Sequence, residues 1–219
     1  MITPIGFSAS QLLEGELELV VELSFPVQGT SLPADHNYGL YAAIVHQIPD
    51  FHRHSSISLL TVPGFPNHEG EITLIKQSCF KIRVPLPKIP LVYPLAGKRV
   101  TIGKHEIQIG IPEISVLHTA QKLRARIVII KGYTEPESFL QAAQRQLEQL
   151  RIMGQITIPP NHKGQPSRKT IKIKCHTLVG FTTEVADLSL EDSLKLQAYG
   201  LGGKRRMGCG VFLPVQGGR

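Results

Sequence analysis

Eleven consecutive residues near the C-terminus hold five glycines and three adjacent cations: Gly200-Leu201-Gly202-Gly203-Lys204-Arg205-Arg206-Met207-Gly208-Cys209-Gly210. Glycine lacks a Cβ, so this backbone can take positive φ and lie close to a ligand. Successive N–H groups in such a loop can form an anion-binding nest. Lys204, Arg205 and Arg206 place positive charge where a phosphate chain could pass. Val211, Phe212, Leu213 and Pro214 follow at once, which reads as a short buried strand closing the chain. The stretch is not a P-loop, because no Ser or Thr follows Lys204 and the next element is a strand rather than a helix. A flexible surface turn with solvated charges is its other reading.

The length of 219 residues allows one large domain or two small ones. With 42% hydrophobic and 19% charged residues, the chain can bury a core. No apolar run approaches the ~18 residues that span a membrane. Met1 to Gln11 lacks the cationic start and apolar core of a signal peptide. Cys79, Cys175 and Cys209 are far apart and show no Cys-x-x-Cys spacing, so neither a zinc site nor a disulfide framework is suggested. A reducing cytoplasm fits. The net charge of +7 is uneven. Residues 1–120 hold 8 basic and 10 acidic side chains, net −2; residues 121–219 hold 16 and 7, net +9. A basic half favours a polyanionic partner through phosphate contacts and counterion release. Seven of the nine histidines lie in the first half, where they could move protons near neutral pH.

Leu17 to Phe25 alternates as a strand, with Leu17, Leu19, Val21, Leu23 and Phe25 on one face and Glu16, Glu18 and Glu22 on the other. Pro26 to Pro33 is turn-rich. Asp35 or Asn37 can cap a helix carrying Tyr38, Tyr41, Ala42, Val45 and Ile48, which Pro49 ends. Strands are expected at residues 56–62, 71–75 and 79–84. The prolines of 85–90 break the pattern. A hairpin is expected from residues 100–102 and 106–111, turning at Gly103-Lys104, and a strand at 113–117.

In the second half, residues 123–130 form a strand. Thr134 and Glu137 read as a capping box for a helix carrying Phe139, Ala143, Leu147 and Leu150. A polar loop at 159–168 precedes strands at 170–175 and 178–185. Ser189 caps a short helix with Leu190 and Leu194, and the basic loop and last strand follow. The order strand, helix, strand, strand, helix, strand is that of a ferredoxin-like unit. The first half fits it partly, because prolines occupy the place of its second helix. Periodicity alone supports an α+β chain.

The glycine and arginine stretch resembles the glycine-rich loop of the CRISPR repeat-processing endoribonucleases, a branch of the RAMP (repeat-associated mysterious protein) superfamily. The resemblance extends through Val179-Gly180-Phe181, Leu188-Ser189 and Gln197-Ala198-Tyr199-Gly200, and returns in Leu32-Pro33-Ala34-Asp35-His36-Asn37-Tyr38-Gly39-Leu40-Tyr41. It implies two ferredoxin-like (RRM-like) units in tandem. An N-terminal unit, residues 1–120, would carry the catalytic histidines; a basic C-terminal unit, residues 121–219, would bind RNA.

It also implies an enzyme that binds a CRISPR repeat hairpin in precursor RNA and cuts at its 3′ base, releasing mature crRNA with 2′,3′-cyclic phosphate and 5′-hydroxyl ends. Such cleavage uses the ribose 2′-hydroxyl as nucleophile. It needs a base, an acid and cations, and no metal or other cofactor. His52 resembles the family histidine that closes the first helix, although Arg53 follows where an acidic residue is commoner. Tyr41 matches a tyrosine one turn into that helix and could position the 2′-hydroxyl. His36, before the helix, joins His52 if the chain folds back. His46, near the expected apolar face, reads as a packed histidine.

His52-x-His54 has only Asp50 as a local carboxylate, which is too few ligands for a metal site. Gly202, Gly203, Lys204, Arg205, Arg206 and Gly208 are the expected RNA-binding residues of the loop. Lys169, Lys172 and Lys174, read as sharing no face with Ile171 and Ile173, could grip phosphates or form a solvated strand face. Other effector-complex subunits and a second copy are further possible partners. A non-catalytic RAMP protein that holds guide RNA as a scaffold is the alternative function.

Overall fold

The computed structural model describes residues 18–67 and 69–215. Leu17 and Glu16 of the expected first strand, and His68, lie outside them. Among the described residues the fold is α+β. The first half contains β1 (Val20–Gln28), β2 (Ser31–Pro33), α1 (Asn37–Gln47), β3 (Ser58–Leu60), β4 (Glu71–Thr73), β5 (Cys79–Pro85), α2 (Ile89–Val92), β6 (Arg99–Ile102), β7 (His105–Ile109) and β8 (Glu113–Val116). The second contains β9 (Leu123–Val128), α3 (Pro136–Gln149), β10 (Gln155–Thr157), β11 (Arg168–Ile173), β12 (His176–Ala186), α4 (Leu190–Tyr199) and β13 (Phe212–Pro214).

The first sheet runs β3-β5-β1-β7-β6, with β8 also on β1; the second runs β10-β12-β9-β13, with β11 also on β12. Strands β2 and β4 form a separate pair. Every pairing is antiparallel, and β1 and β5 match from Val20 opposite Pro85 to Pro26 opposite Cys79. One hydrophobic cluster draws on residues from Val21 to Ile109, and another on residues from Leu123 to Phe212. Burying apolar side chains in each is the main favourable term of folding. No helix among the described residues is long and apolar enough to cross a membrane.

Several local expectations shift for identifiable reasons. Strand β1 starts at Val20, and Leu19 is 55% exposed. Glu22 is buried instead of solvated, because that face of β1 is covered by the second half. The buried residues of α1 are Asn37, Leu40 and Ile44, with Ile48 just beyond, whereas Ala42 and His46 are exposed. This helix is apolar almost all round, so its sequence period could not select the inward side. Neither Asp35 nor Asn37 caps it; His36 takes the cap position without a side-chain bond.

The capping box at Thr134 does not form. Pro136 occupies the first helical position of α3, and Glu135 is its extended N-cap. Proline suits that first position and pushes the preceding residue out of helical φ/ψ. Ser189 caps α4 as expected, its Oγ accepting from the Asp192 N–H at 3.1 Å, but Leu190 is 71% exposed while Leu196 and Ala198 are buried. The prolines of 85–90 give a 3₁₀ turn and the single-turn α2 rather than irregular chain. Strands β2 and β10, three residues each, carried too few positions for a periodic signal.

Candidate nucleic-acid interface

The loop between α4 and β13 is packed onto protein along most of its length. Gly203 N–H donates to the Ile129 carbonyl at 2.9 Å, Gly210 to Ile127 at 2.7 Å, and Leu201 to Gly210 at 3.1 Å. Gly202 N–H donates to the Gln146 side chain at 2.8 Å. The N–H groups of Met207 and Cys209 turn back to Lys204, and that of Gly208 to Arg205. These seven donors are therefore unavailable as an anion nest. The glycines have a different physical reason. A Cβ on Gly202 would sit 2.4 Å from the Ile129 carbonyl oxygen, and one on Gly210 would sit 1.9 Å from that of Leu201. Both also have positive φ, at 71° and 68°. The loop needs glycine so that its backbone can lie against β9 and against itself. Cys209 beneath it is fully buried, and burial pushes its thiol up to about 12.

The three cations separate. Lys204, at φ 65°, is exposed. Arg205 is 6% exposed and donates to the Ser55 carbonyl at 2.6 Å and to the Tyr199 carbonyl. Burial, with Arg206 alongside, lowers its guanidinium to about 10, so it stays charged at neutral pH. Arg206 donates to the carbonyl of His52. Next in the chain, the Met207 carbonyl accepts from Asn37 Nδ2 at 2.6 Å, and Asn37 Oδ1 accepts from Arg126 at 3.0 Å. Thus Arg205, Arg206 and Met207 fasten the loop to the start of α1 and to the segment after it.

That segment is a 3₁₀ turn, Pro49–Arg53, and it folds back on α1. The Phe51 ring lies 6.2 Å from Tyr41 at 51°, and Tyr41 in turn lies 6.3 Å from Tyr38. The fold-back thus sets His52 one residue beyond a ring held against Tyr41. Asp50 and Arg53 close the turn as an exposed ion pair at 3.1 Å.

The two leading histidines share one local device. Each follows a proline by three residues, and each Nδ1 meets that proline's carbonyl: His36 with Pro33 at 2.8 Å, and His52 with Pro49. A carbonyl only accepts, so the proton sits on Nδ1 and the lone pair of the neutral ring on Nε2. Their surroundings differ sharply. His52 is exposed. His36 is 3% exposed, and its buried Nε2 has no hydrogen-bond partner among the described residues. Burial, helped by Arg126 and opposed by the Pro33 carbonyl and Asp35, lowers its pKa. It borders a cavity of about 400 Å³ between the halves, with Arg126, Lys81, Cys79 and Gly208. His46, expected to be packed, is exposed because it falls on the outer side of α1. No group of three His, Cys, Asp or Glu side chains suited to a metal occurs among the described residues.

Lys169 and Lys172 project from β11, and Lys174 sits in the turn after it at φ 54°; all three are exposed. The two-residue period of a strand puts Lys169 on the same side as buried Ile171, which corrects the sequence reading. The Lys172 N–H donates to Asp35 at 2.9 Å, tying this strand to the start of α1. Sequence reasoning missed Asn37, Arg126 and Arg83. The first two are paired across the halves; the third, on β5, is 1% exposed. Arg83 meets Glu22 at 2.9 Å and the carbonyls of Gln197 and Phe212 at 3.0 and 2.6 Å. A lone Arg in an alternating strand gives no sign that it will be buried.

The comparisons with known proteins agree with this architecture. The family model described as Cas6 CRISPR matches residues 21–217. A relative from Myxococcus xanthus (strain DK1622), the CRISPR-associated endonuclease Cas6, is 32% identical over 200 residues, covering 91% of this chain and 84% of that protein. A solved structure of a CRISPR associated protein Cas6 superposes with a TM-score of 0.63 at 12% identity, over 90% of this chain and 99% of the other. Another, an RAMP protein binding different RNA substrates, gives 0.61 at 12% identity, over 90% of this chain and all of the other. The chain belongs to the Cas6 family of CRISPR proteins.

Proposed function

We propose that the chain is an endoribonuclease that binds CRISPR repeat hairpins in precursor RNA and cuts them by attack of the ribose 2′-hydroxyl. The observation that carries this reading is His52: exposed, its proton held on Nδ1 by the Pro49 carbonyl, and its backbone fixed by Arg206 of the basic loop. Nε2 of His52 takes the proton of the 2′-hydroxyl. The O2′–P bond forms, and the P–O5′ bond breaks as the leaving oxygen gains a proton from water. The ends are a 2′,3′-cyclic phosphate and a 5′-hydroxyl. Tyr41, packed against Phe51, orients the ribose. Arg206, beside His52, offsets charge on the phosphorane. The step needs no metal.

His36 is the second histidine of this reading. Its buried Nε2 reaches RNA only if the cavity beside Arg126 opens, so its contribution in the closed form is to seat the start of α1. The lysines 169, 172 and 174 hold the phosphates of the stem, whose A-form major groove is too narrow to read directly. We assign residues 1–120 and 121–219 as two ferredoxin-like units, on the strand orders β3-β5-β1-β7 and β10-β12-β9-β13 and the two separate cores.

Cleavage of a repeat RNA by wild-type protein, lost in His52→Ala with binding retained, tests the proposal. Tight binding by wild type without any cleavage gives the scaffold reading instead.

A further inference from the structure

One cavity of the second half lies apart from His36 and His52, with His176 among its lining residues. It measures about 870 Å³ and lies between the end of β9, α3, the β11–β12 hairpin and Gly202–Lys204. Its volume falls in the range of about 300–1,000 Å³ typical of ligand sites. The walls are apolar: Ile129, Ile130, Ala142, Leu178 and Val179. Tyr133 stands at one side, its hydroxyl accepting from Arg145 at 3.1 Å and its ring 5.8 Å from that guanidinium. Lys131, Arg145 and Lys204 supply charge, and no Asp or Glu lines the cavity.

Such a lining selects a ligand with a flat apolar part and an anionic part. An apolar small molecule leaves three cations unanswered, and a bare phosphate leaves the walls empty. A nucleotide satisfies both. The basic loop joins the cavity to the rest of the interface, because Gly202, Gly203 and Lys204 line it while Arg206, two residues on, holds His52. Gln146 fixes that edge by accepting the Gly202 N–H. We propose that this cavity takes one unpaired nucleotide of the bound RNA, its base on Tyr133 and the apolar wall and its phosphate on Arg145 and Lys204. The proposal rests on the RNA-binding reading above and adds to it a place at which RNA outside the stem is held.

An abasic scan of the unpaired positions of a repeat RNA tests it, by filter binding to wild type, Tyr133→Ala and Thr177→Trp. Tyr133 is partly buried against the second core, so its loss can affect folding. Thr177 is exposed on β12, and Trp there obstructs the cavity without removing a core side chain. One abasic position is expected to weaken wild-type binding about 5- to 150-fold, the loss for one stacked base. Either variant should weaken intact RNA similarly and make that same position indifferent, while losses elsewhere stay additive. Additive losses at every position, or an acidic peptide that competes at this cavity where RNA does not, overturns the proposal and leaves the endoribonuclease reading standing. Wild-type protein that binds no repeat RNA overturns both.

Discussion

Arg205 donates to the carbonyl of Ser55 at 2.6 Å, across 150 residues of sequence. A basic loop that looks from its composition like a free phosphate grip is thereby clamped to the segment carrying His52, and its three cations divide the labour. Arg205→Ala is expected to lower stability by about 1–3 kcal/mol, because the bonds of its buried guanidinium to the Ser55 and Tyr199 carbonyls are lost. Lys204→Ala should leave stability unchanged and weaken RNA binding, reducing the salt slope by about one. Urea titration and filter binding over a salt series separate the two. Equal melting of both variants would contradict the assignment.

Arg83 should behave as a bolt between the halves. It is buried with Glu22 and spans to the carbonyls of Gln197 and Phe212. Arg83→Met takes the donor from the Gln197 and Phe212 carbonyls and leaves buried Glu22 with Lys81 alone, at a cost of about 3–5 kcal/mol. Adding Glu22→Leu should recover part of the loss, since it removes a buried carboxylate that has lost one of its two cations. Denaturant midpoints of the two single variants and the double variant measure it, and a double variant less stable than Arg83→Met contradicts it.

His36 should make the fold acid-sensitive. Burial holds its pKa below the ordinary 6.5, so near that pH the unfolded chain takes up a proton that the folded chain resists. Its contribution is complete above 6.5 and declines as pH falls through that value. Glu22 and Glu71, held below 4.5 in the fold, act in a lower window. Burial raises Glu22, but Arg83 and Lys81 outweigh it; Lys104 and Ser31 lower Glu71. The melting temperature of wild type should therefore drop between pH 7.5 and 5.5, and His36→Gln should flatten that drop. An unchanged slope would show that the imidazole reaches solvent.

Cleavage should survive excess EDTA, since the nucleophile belongs to the RNA and the proton acceptor is an imidazole. Activity lost in EDTA and restored by Mn²⁺ or Zn²⁺ would return attention to His52 and His54.

Much of the second half was legible because its signals are local and strong. Phe139, Ala143, Leu147 and Leu150 mark one helical face, and all four are buried. Ser189 announces its helix by a hydrogen bond three residues away. What depended on distant partners was not legible. Glu22 reads as a surface acid until Arg83 is seen beside it, and Asn37 reads as a cap until Met207 and Arg126 claim its amide. The inward side of α1 was misplaced because Tyr38, Tyr41, Ala42 and Val45 are as apolar as Leu40 and Ile44. His52 was readable as a candidate, whereas the return of its turn onto Tyr41 through Phe51 needed coordinates. The glycines stood out in the sequence, but their reason, close backbone contact with β9, did not.

Single-turnover cleavage of a repeat RNA by His52→Ala tests the central claim most directly, read beside a wild-type reaction on RNA with a 2′-deoxy substitution at the cut. The variant is expected to be slower by roughly 10²–10⁴-fold with nearly unchanged affinity, because one neutral imidazole adds little to a phosphate-dominated contact. The deoxy substrate should bind and remain intact. Full-rate cleavage by His52→Ala, or cutting of the deoxy substrate, would contradict it.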